Sequence, residues 1–166
     1  MPVMNRNDVT ISWVNPDATE TELAPGPGTF SIDGLEEGQR EAIPVYNNGE
    51  FLELIRGDRL PVTGTITVHQ DGNMTDPTTA KPFDILMHFG AQSAKVTQDP
   101  GGLVWTGDLK VVGSRGAYSF TLILPNCRIQ GAWSKAKEGN AWELSYTSYP
   151  SATDRISLDG SNVHDA

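Results

Sequence analysis

Residues Phe51 to Gln70, FLELIRGDRLPVTGTITVHQ, contain two runs in which apolar and polar side chains alternate, and a two-residue period is the period of a strand. In the second run Val62, Ile66 and Val68 fall on one face and Thr63, Thr65, Thr67 and His69 on the other. In the first, Leu52 and Leu54 share a face opposite Glu53. The pattern predicts a long β-hairpin over about 51–70 that turns at Asp58-Arg59-Leu60 and sets Leu52 and Leu54 beside Val62 and Ile66. A slip of one residue would move every apolar side chain to the wet face. The outward face is then hydroxyl-rich and sparsely charged, suited to a wall that something passes or pairs with.

The same alternation recurs along the chain. Val9, Ile11 and Trp13 mark a first strand, and Phe30 to Leu35 a short second one. Ile43 to Tyr46 and Glu50 to Arg56 flank Asn47-Asn48-Gly49, whose Asn-Gly pair signals a tight turn. In the second half, Gly102 to Val112, Ala117 to Leu124, Cys127 to Lys135 and Ala141 to Tyr149 read as strands, the second and third parted by a turn at Pro125-Asn126. One short helix is expected over about 82–89, where Pro82 fits a first helical position and Phe83, Leu86 and Met87 recur at helical spacing for packing on a sheet. Residues 15–29 contain three prolines, two glycines and three acids and form a long polar loop, either loosely ordered or an interaction arm. Residues 159–166 are expected to be a flexible tail. Together these predict a mainly β, single-domain chain, 1–166, with the architecture of a β-sandwich or partial barrel.

Composition narrows the function. A net charge of −9 with scattered basic residues disfavours a protein that grips nucleic acid by its phosphates. The single cysteine, Cys127, excludes an intramolecular disulfide and reads as a buried thiol. No apolar run approaches the ~20 residues of a membrane span, and Met1 to Asp8 does not resemble a signal peptide, so no membrane association and a cytosolic start are expected.

Catalytic constellations are missing from the pattern. His69, His88 and His164 are dispersed and make no zinc-ligand pair, and no G-x-S-x-G elbow or phosphate-loop lysine occurs. Glu36 and Glu37 are neighbours on an extended chain and point apart. Arg56-Gly57-Asp58 spells an integrin tripeptide that turn chemistry explains better. No enzyme, no cofactor and no metal are expected. Trp105, Trp133, Trp142 and Tyr149 offer a competing reading as a sugar-stacking platform of a carbohydrate-binding module.

The order of elements resembles the phage major tail tube proteins, with siphophage-like subunits in mind. The resemblance spans roughly Asp8 to Leu158 and comprises an early strand, a long polar loop, the hairpin with ELIRGDRLPVTGTITV, a short helix near Pro82 and a run of hairpin strands. It implies a structural virion protein whose copies form stacked, hexameric rings around a channel for genome delivery, with hairpins joined sideways into a continuous barrel. It implies Glu53, Thr63, Thr65 and Thr67 as lumen-facing residues, and Asp17, Glu20, Glu22 and Leu23 as an inter-ring loop. Implied partners are further copies of the chain, tape measure and tail-end proteins, with double-stranded DNA only as transiting cargo. Duplex DNA carries roughly one charge per 1.7 Å, so an acidic bore repels it and eases passage. Implied localisation is the virion tail, after assembly in the host cytoplasm. Another phage head–tail structural role is the nearest alternative.

Overall fold

Period-two alternation becomes antiparallel sheet over most of the computed structural model, which describes residues 8–14, 20–23, 30–35, 39–69, 86, 97–98, 105–136 and 139–162; the strand expected over Phe30 to Leu35 is reduced to an isolated bridge between Asp33 and Thr63. The strands are β1 (Val9–Val14), β2 (Glu20–Glu22), β3 (Arg40–Asn47), β4 (Glu50–Arg59), β5 (Val62–His69), β6 (Thr97–Gln98), β7 (Trp105–Arg115), β8 (Tyr118–Ala136), β9 (Gly139–Ser148), β10 (Ser157–Leu158) and β11 (Ser161–Asn162). The larger sheet runs β11-β10-β8-β7-β1-β2, with β9 pairing both β8 and β5, while β3 and β4 form a two-stranded sheet of their own. The mainly β, sandwich-like class expected from the pattern is what the chain adopts.

One strand joins the two halves. Residues 118–127 of β8 pair with β7, and residues 127–136 pair with β9. Pro125-Asn126 is therefore a bend within a 19-residue strand and not the expected turn between two. The ladder to β7 skips a residue there, between Gly107 and Leu109, and Asn126 takes a left-handed φ of 48°. Side chains lock the bend. Asn126 donates its backbone N–H to Asp108 Oδ1 at 3.2 Å, and its amide to the Tyr149 carbonyl at 3.3 Å and to Asp154 Oδ2 at 3.4 Å.

Around this bend the two halves face one another across a single apolar cluster. Trp13, Leu109, Leu124 and Cys127 come from β1, β7 and β8, and Val62, Ile66, Val68, Leu144 and Tyr146 from β5 and β9, with Leu23 and Ile156 closing the cluster. Cys127 is the buried thiol that was expected. It donates to the Leu124 carbonyl at 3.3 Å, and burial pushes its pKa up to about 12. Leu86 is helical and packs on this cluster, whereas Phe83, Met87 and the rest of the expected helix lie outside the described residues.

Asp108 is half-buried beside the bend, and its carboxyl titrates above its ordinary range. Burial is the main cause and Asp154 adds repulsion, against a partial offset from the Asn126 amide. A carboxyl that holds its proton more tightly folded than unfolded costs nothing at acid pH and destabilises once the pH climbs past the ordinary carboxylate range. Asp108→Asn should therefore resist urea better than the parent at neutral pH, with the advantage shrinking toward a pH of about 4. Urea titrations across that range check it; a constant gap would locate the effect elsewhere.

Three expectations are corrected. The hairpin over 51–70 does not form. β4 pairs with β3, and β5 with β9, so Val62 and Ile66 are buried while Leu52 and Leu54 are 59% and 63% exposed. The physical reason lies in the turns. Asn48 and Gly49 carry φ values of 52° and 82°, the left-handed pair of a two-residue turn whose twist matches its strands, so the chain reverses there and not at Asp58-Arg59-Leu60. Second, the loop over 15–29 is interrupted by β2, which pairs with β1, and Leu23 is buried. Third, the tail expected from Asp159 is still structured at its start. Asp159 and Gly160, at φ 51° and 80°, turn β10 back into β11, and Thr121 exchanges hydrogen bonds with the Asp159 backbone and side chain, both 2.8 Å.

Candidate functional site

The β3–β4 hairpin departs from every other paired segment. Among the described residues its strands hydrogen-bond to each other and belong to no larger sheet, and it carries Ile43, Tyr46, Phe51, Leu52, Leu54 and Ile55, all exposed. A two-stranded ribbon buries too little to be stable in water unless something packs on it. Proteins rarely leave so large an apolar surface open without a use for it. The hairpin is an arm, and its sequence shows why it has no dry side of its own. Phe51-Leu52 and Leu54-Ile55 are apolar doublets, and adjacent residues on a strand point to opposite faces.

Register assigns those faces. Ile43 opposes Ile55 and Val45 opposes Glu53 on one face, and Pro44 opposes Leu54 and Tyr46 opposes Phe51 on the other. The Tyr46 and Phe51 rings meet edge to face at 6.2 Å, a contact worth about 0.5–1.5 kcal/mol. Pairing slips twice along β4, between the partners of Val45 and Tyr46, where Leu52 is the extra residue, and between those of Arg40 and Ala42. Without the first bulge Phe51, three residues before Leu54, would point away from it.

A buried glutamine fixes the base. Gln39 holds a left-handed φ of 53°, and its side-chain nitrogen donates to the Gly34 carbonyl at 2.8 Å and the Leu60 carbonyl at 3.1 Å. Its own carbonyl accepts the Leu60 N–H at 3.1 Å. The chain entering the arm is thus tied to the chain leaving it. Gln39→Ala would strand two part-buried carbonyls, at up to about 1–3 kcal/mol each before relaxation or water offsets part of it. A net loss of about 2 kcal/mol in urea unfolding, with faster hydrogen exchange at the Leu60 amide, is the expected result.

The sequence-derived candidates are not brought together. Glu53 lies on the exposed arm, while Thr63 and Thr65 are exposed and Thr67 is half-buried on β5, in another sheet. The edge of β5 at Thr63 and Thr65 is occupied. Asp33 and Thr63 exchange backbone hydrogen bonds at 2.7 and 3.0 Å, and the Thr65 N–H donates to Ser31 Oγ at 3.2 Å. Glu53 and the three threonines therefore do not share one sheet, because each run took a different partner strand. Of the loop candidates, Glu20 and Glu22 are exposed on β2, with Lys110 2.9 Å from Glu20, Leu23 is core, and Asp17 lies outside the described residues. Trp105, Trp133 and Trp142 lie on β7, β8 and β9, and the exposed Tyr149 follows β9. Among the described residues no group of three His, Cys, Asp or Glu is placed to hold a metal ion, and no helix is long and apolar enough to cross a membrane.

Sheet order, the bent β8 and the detached arm can be compared with solved structures. A chain of the extended sheath–tube complex of an extracellular contractile injection system, PVC, superposes with a TM-score of 0.55 at 13% identity, covering 94% of this chain and 90% of that one. A chain of the same system's extended sheath/tube terminator gives 0.54 at 12%, covering 95% and 96%. The tube-terminating cap of the anti-feeding prophage gives 0.51 at 10%, covering 95% and 91%. The fold is shared with parts of contractile injection systems. No family model and no curated protein matches the sequence, so the likeness is one of fold, carried along nearly the whole chain.

Proposed function

We propose that this chain is a structural subunit of a phage-tail-like tube and that it assembles with its own kind through the β3–β4 arm. The observation that carries this reading is the arm itself, a two-stranded ribbon with apolar side chains exposed on both faces. A sister copy would cover apolar side chains there, and joining arms edge to edge into a closed barrel would remove the unpaired strand edges. Superposition with components of contractile injection systems over 94–95% of the chain supports the reading.

In its finer form the subunit closes into stacked, hexameric rings whose channel passes a cargo such as double-stranded DNA, with tape measure and tail-end proteins as further partners, in a particle that works outside the cell. Glu20 and Glu22, with Asp17 nearby in sequence, are the candidates for contact between rings, and Leu23 anchors that segment in the core. No catalytic role is assigned. A second form of the reading, a ring that ends a tube, is favoured by the likeness to a terminator and a cap.

Sedimentation velocity at increasing protein concentration, with negative-stain microscopy of the same samples, tests this. Rings or tubes are expected. Tubes of indefinite length favour the stacking subunit and single rings the terminator, and a strictly monomeric species under all conditions overturns the assembly role.

A further inference from the structure

The two bulges of the arm sort its charges by face. Glu50 and Glu53 are three residues apart, as are Arg56 and Arg59, and in an unbroken strand the members of each pair would point to opposite sides. With Leu52 as an extra residue, Glu50 pairs with Asn47 and joins the side where Glu53 opposes Val45. The second bulge, at residues 57–58, lets Arg59 pair with Arg40 on the side where Arg56 opposes Ala42. Glu41 belongs with the glutamates, since a Cβ built on Gly57 would lie 2.9 Å from Glu41 Oε2 and 2.9 Å from Ile43 Cδ1. One face thus presents Arg40, Arg56 and Arg59 with Tyr46, Phe51 and Leu54. The other presents Glu41, Glu50 and Glu53 with Ile43, Val45 and Ile55.

Charge complementarity selects the partner of the first face. Residues 40–59 hold three arginines and four acids, so the remainder of the chain carries eight of the nine excess negative charges. Asp33, Glu143, Asp154 and Asp159 are exposed acids on that remainder. A face with arginines around aromatic side chains has the composition of the well-buried centre of an interface, where Tyr, Phe and Arg are enriched. The glutamate face would be repelled by the same acidic surface.

We propose that the arm docks by its arginine-and-aromatic face on the acidic body of a second copy of this chain, and turns its glutamate face away from that joint. This rests on the reading of the arm as the element of self-assembly. In a closed ring the glutamates of successive arms then line one side of the wall together, and any polyanion passing there meets carboxylates.

Adjacent residues on opposite faces give the test. Leu54→Ser and Arg56→Glu alter the docking face, while Ile55→Ser and Glu53→Lys alter the other. Self-association measured by sedimentation equilibrium at two salt concentrations should weaken at least tenfold in the first pair. It should change less than about threefold in the second, with Glu53→Lys unchanged or tighter through relief of repulsion. Salt dependence should fall in Arg56→Glu, and matched thermal unfolding of all four variants checks that the body is intact. Equal losses on both faces, or a larger loss from Ile55→Ser and Glu53→Lys, overturn the orientation while leaving the arm as the assembly element. A parent protein that never associates overturns both readings.

Discussion

Gly64→Val is expected to remove most of the stability of the domain. Gly64 sits opposite Tyr146 in the β5–β9 ladder, and a Cβ at that position would run into the Ser31 carbonyl and the Tyr146 ring. Tyr146 is buried, donates its hydroxyl to the Ser31 carbonyl at 2.7 Å and stacks against Phe30 at 6.2 Å between centroids. A valine would therefore displace the segment at 30–33 and the ring together, combining overpacking with a half-buried carbonyl left unpaired. Overpacking costs about 1–3 kcal/mol and an orphaned acceptor about 1–3 more. The expected sum is about 2–6 kcal/mol, a drop of roughly 4–24 °C in the melting temperature of a chain this size. Thr65→Val, one residue along on the exposed face, should shift it by no more than a few degrees. Calorimetry of the two variants decides it, and similar melting temperatures would refute the steric argument.

Removing the arm should have the opposite profile. If residues 41–58 are replaced by a short Asn-Gly connection between Arg40 and Arg59, the larger sheet keeps all its pairings, because among the described residues β3 and β4 pair with no strand outside the arm. The melting temperature is expected to change by no more than a few degrees, since Gln39 and Leu60 remain to close the base. Self-association is expected to vanish. Sedimentation velocity and calorimetry on the same preparation separate the two effects. Assembly equal to that of the parent would remove the arm from the interface, and loss of the cooperative transition would mean that it supports the core.

Comparing these two sites shows what the sequence could and could not disclose. Alternation in Val62 to Val68 identified β5 and its dry face, since Val62, Ile66 and Val68 are all buried. Alternation does not name a partner strand, however. Leu52 and Leu54 fit the core pattern as well as Val62 does, yet they stand exposed on the arm. Two local signals pointed the other way: the Asn48-Gly49 turn, and the apolar doublets of β4, which no one-sided strand would carry. Charge segregation on the arm was not legible, because it depends on two bulges that a strict two-residue period cannot represent. Glu53, expected at a wall beside the threonines, lies instead among the glutamates of the arm. The bend at Pro125-Asn126 mimics a turn for a related reason, since a proline followed by asparagine reads the same whether the chain reverses or only changes direction.

The long shared strand has a mechanical consequence. Because β8 is zipped to β7 along its first half and to β9 along its second, tension applied along its axis loads both ladders in shear, and many backbone hydrogen bonds must give way together instead of peeling off singly. A subunit wired in this way would transmit a pull from one end of its wall to the other with little stretch, and its two halves would yield as one body.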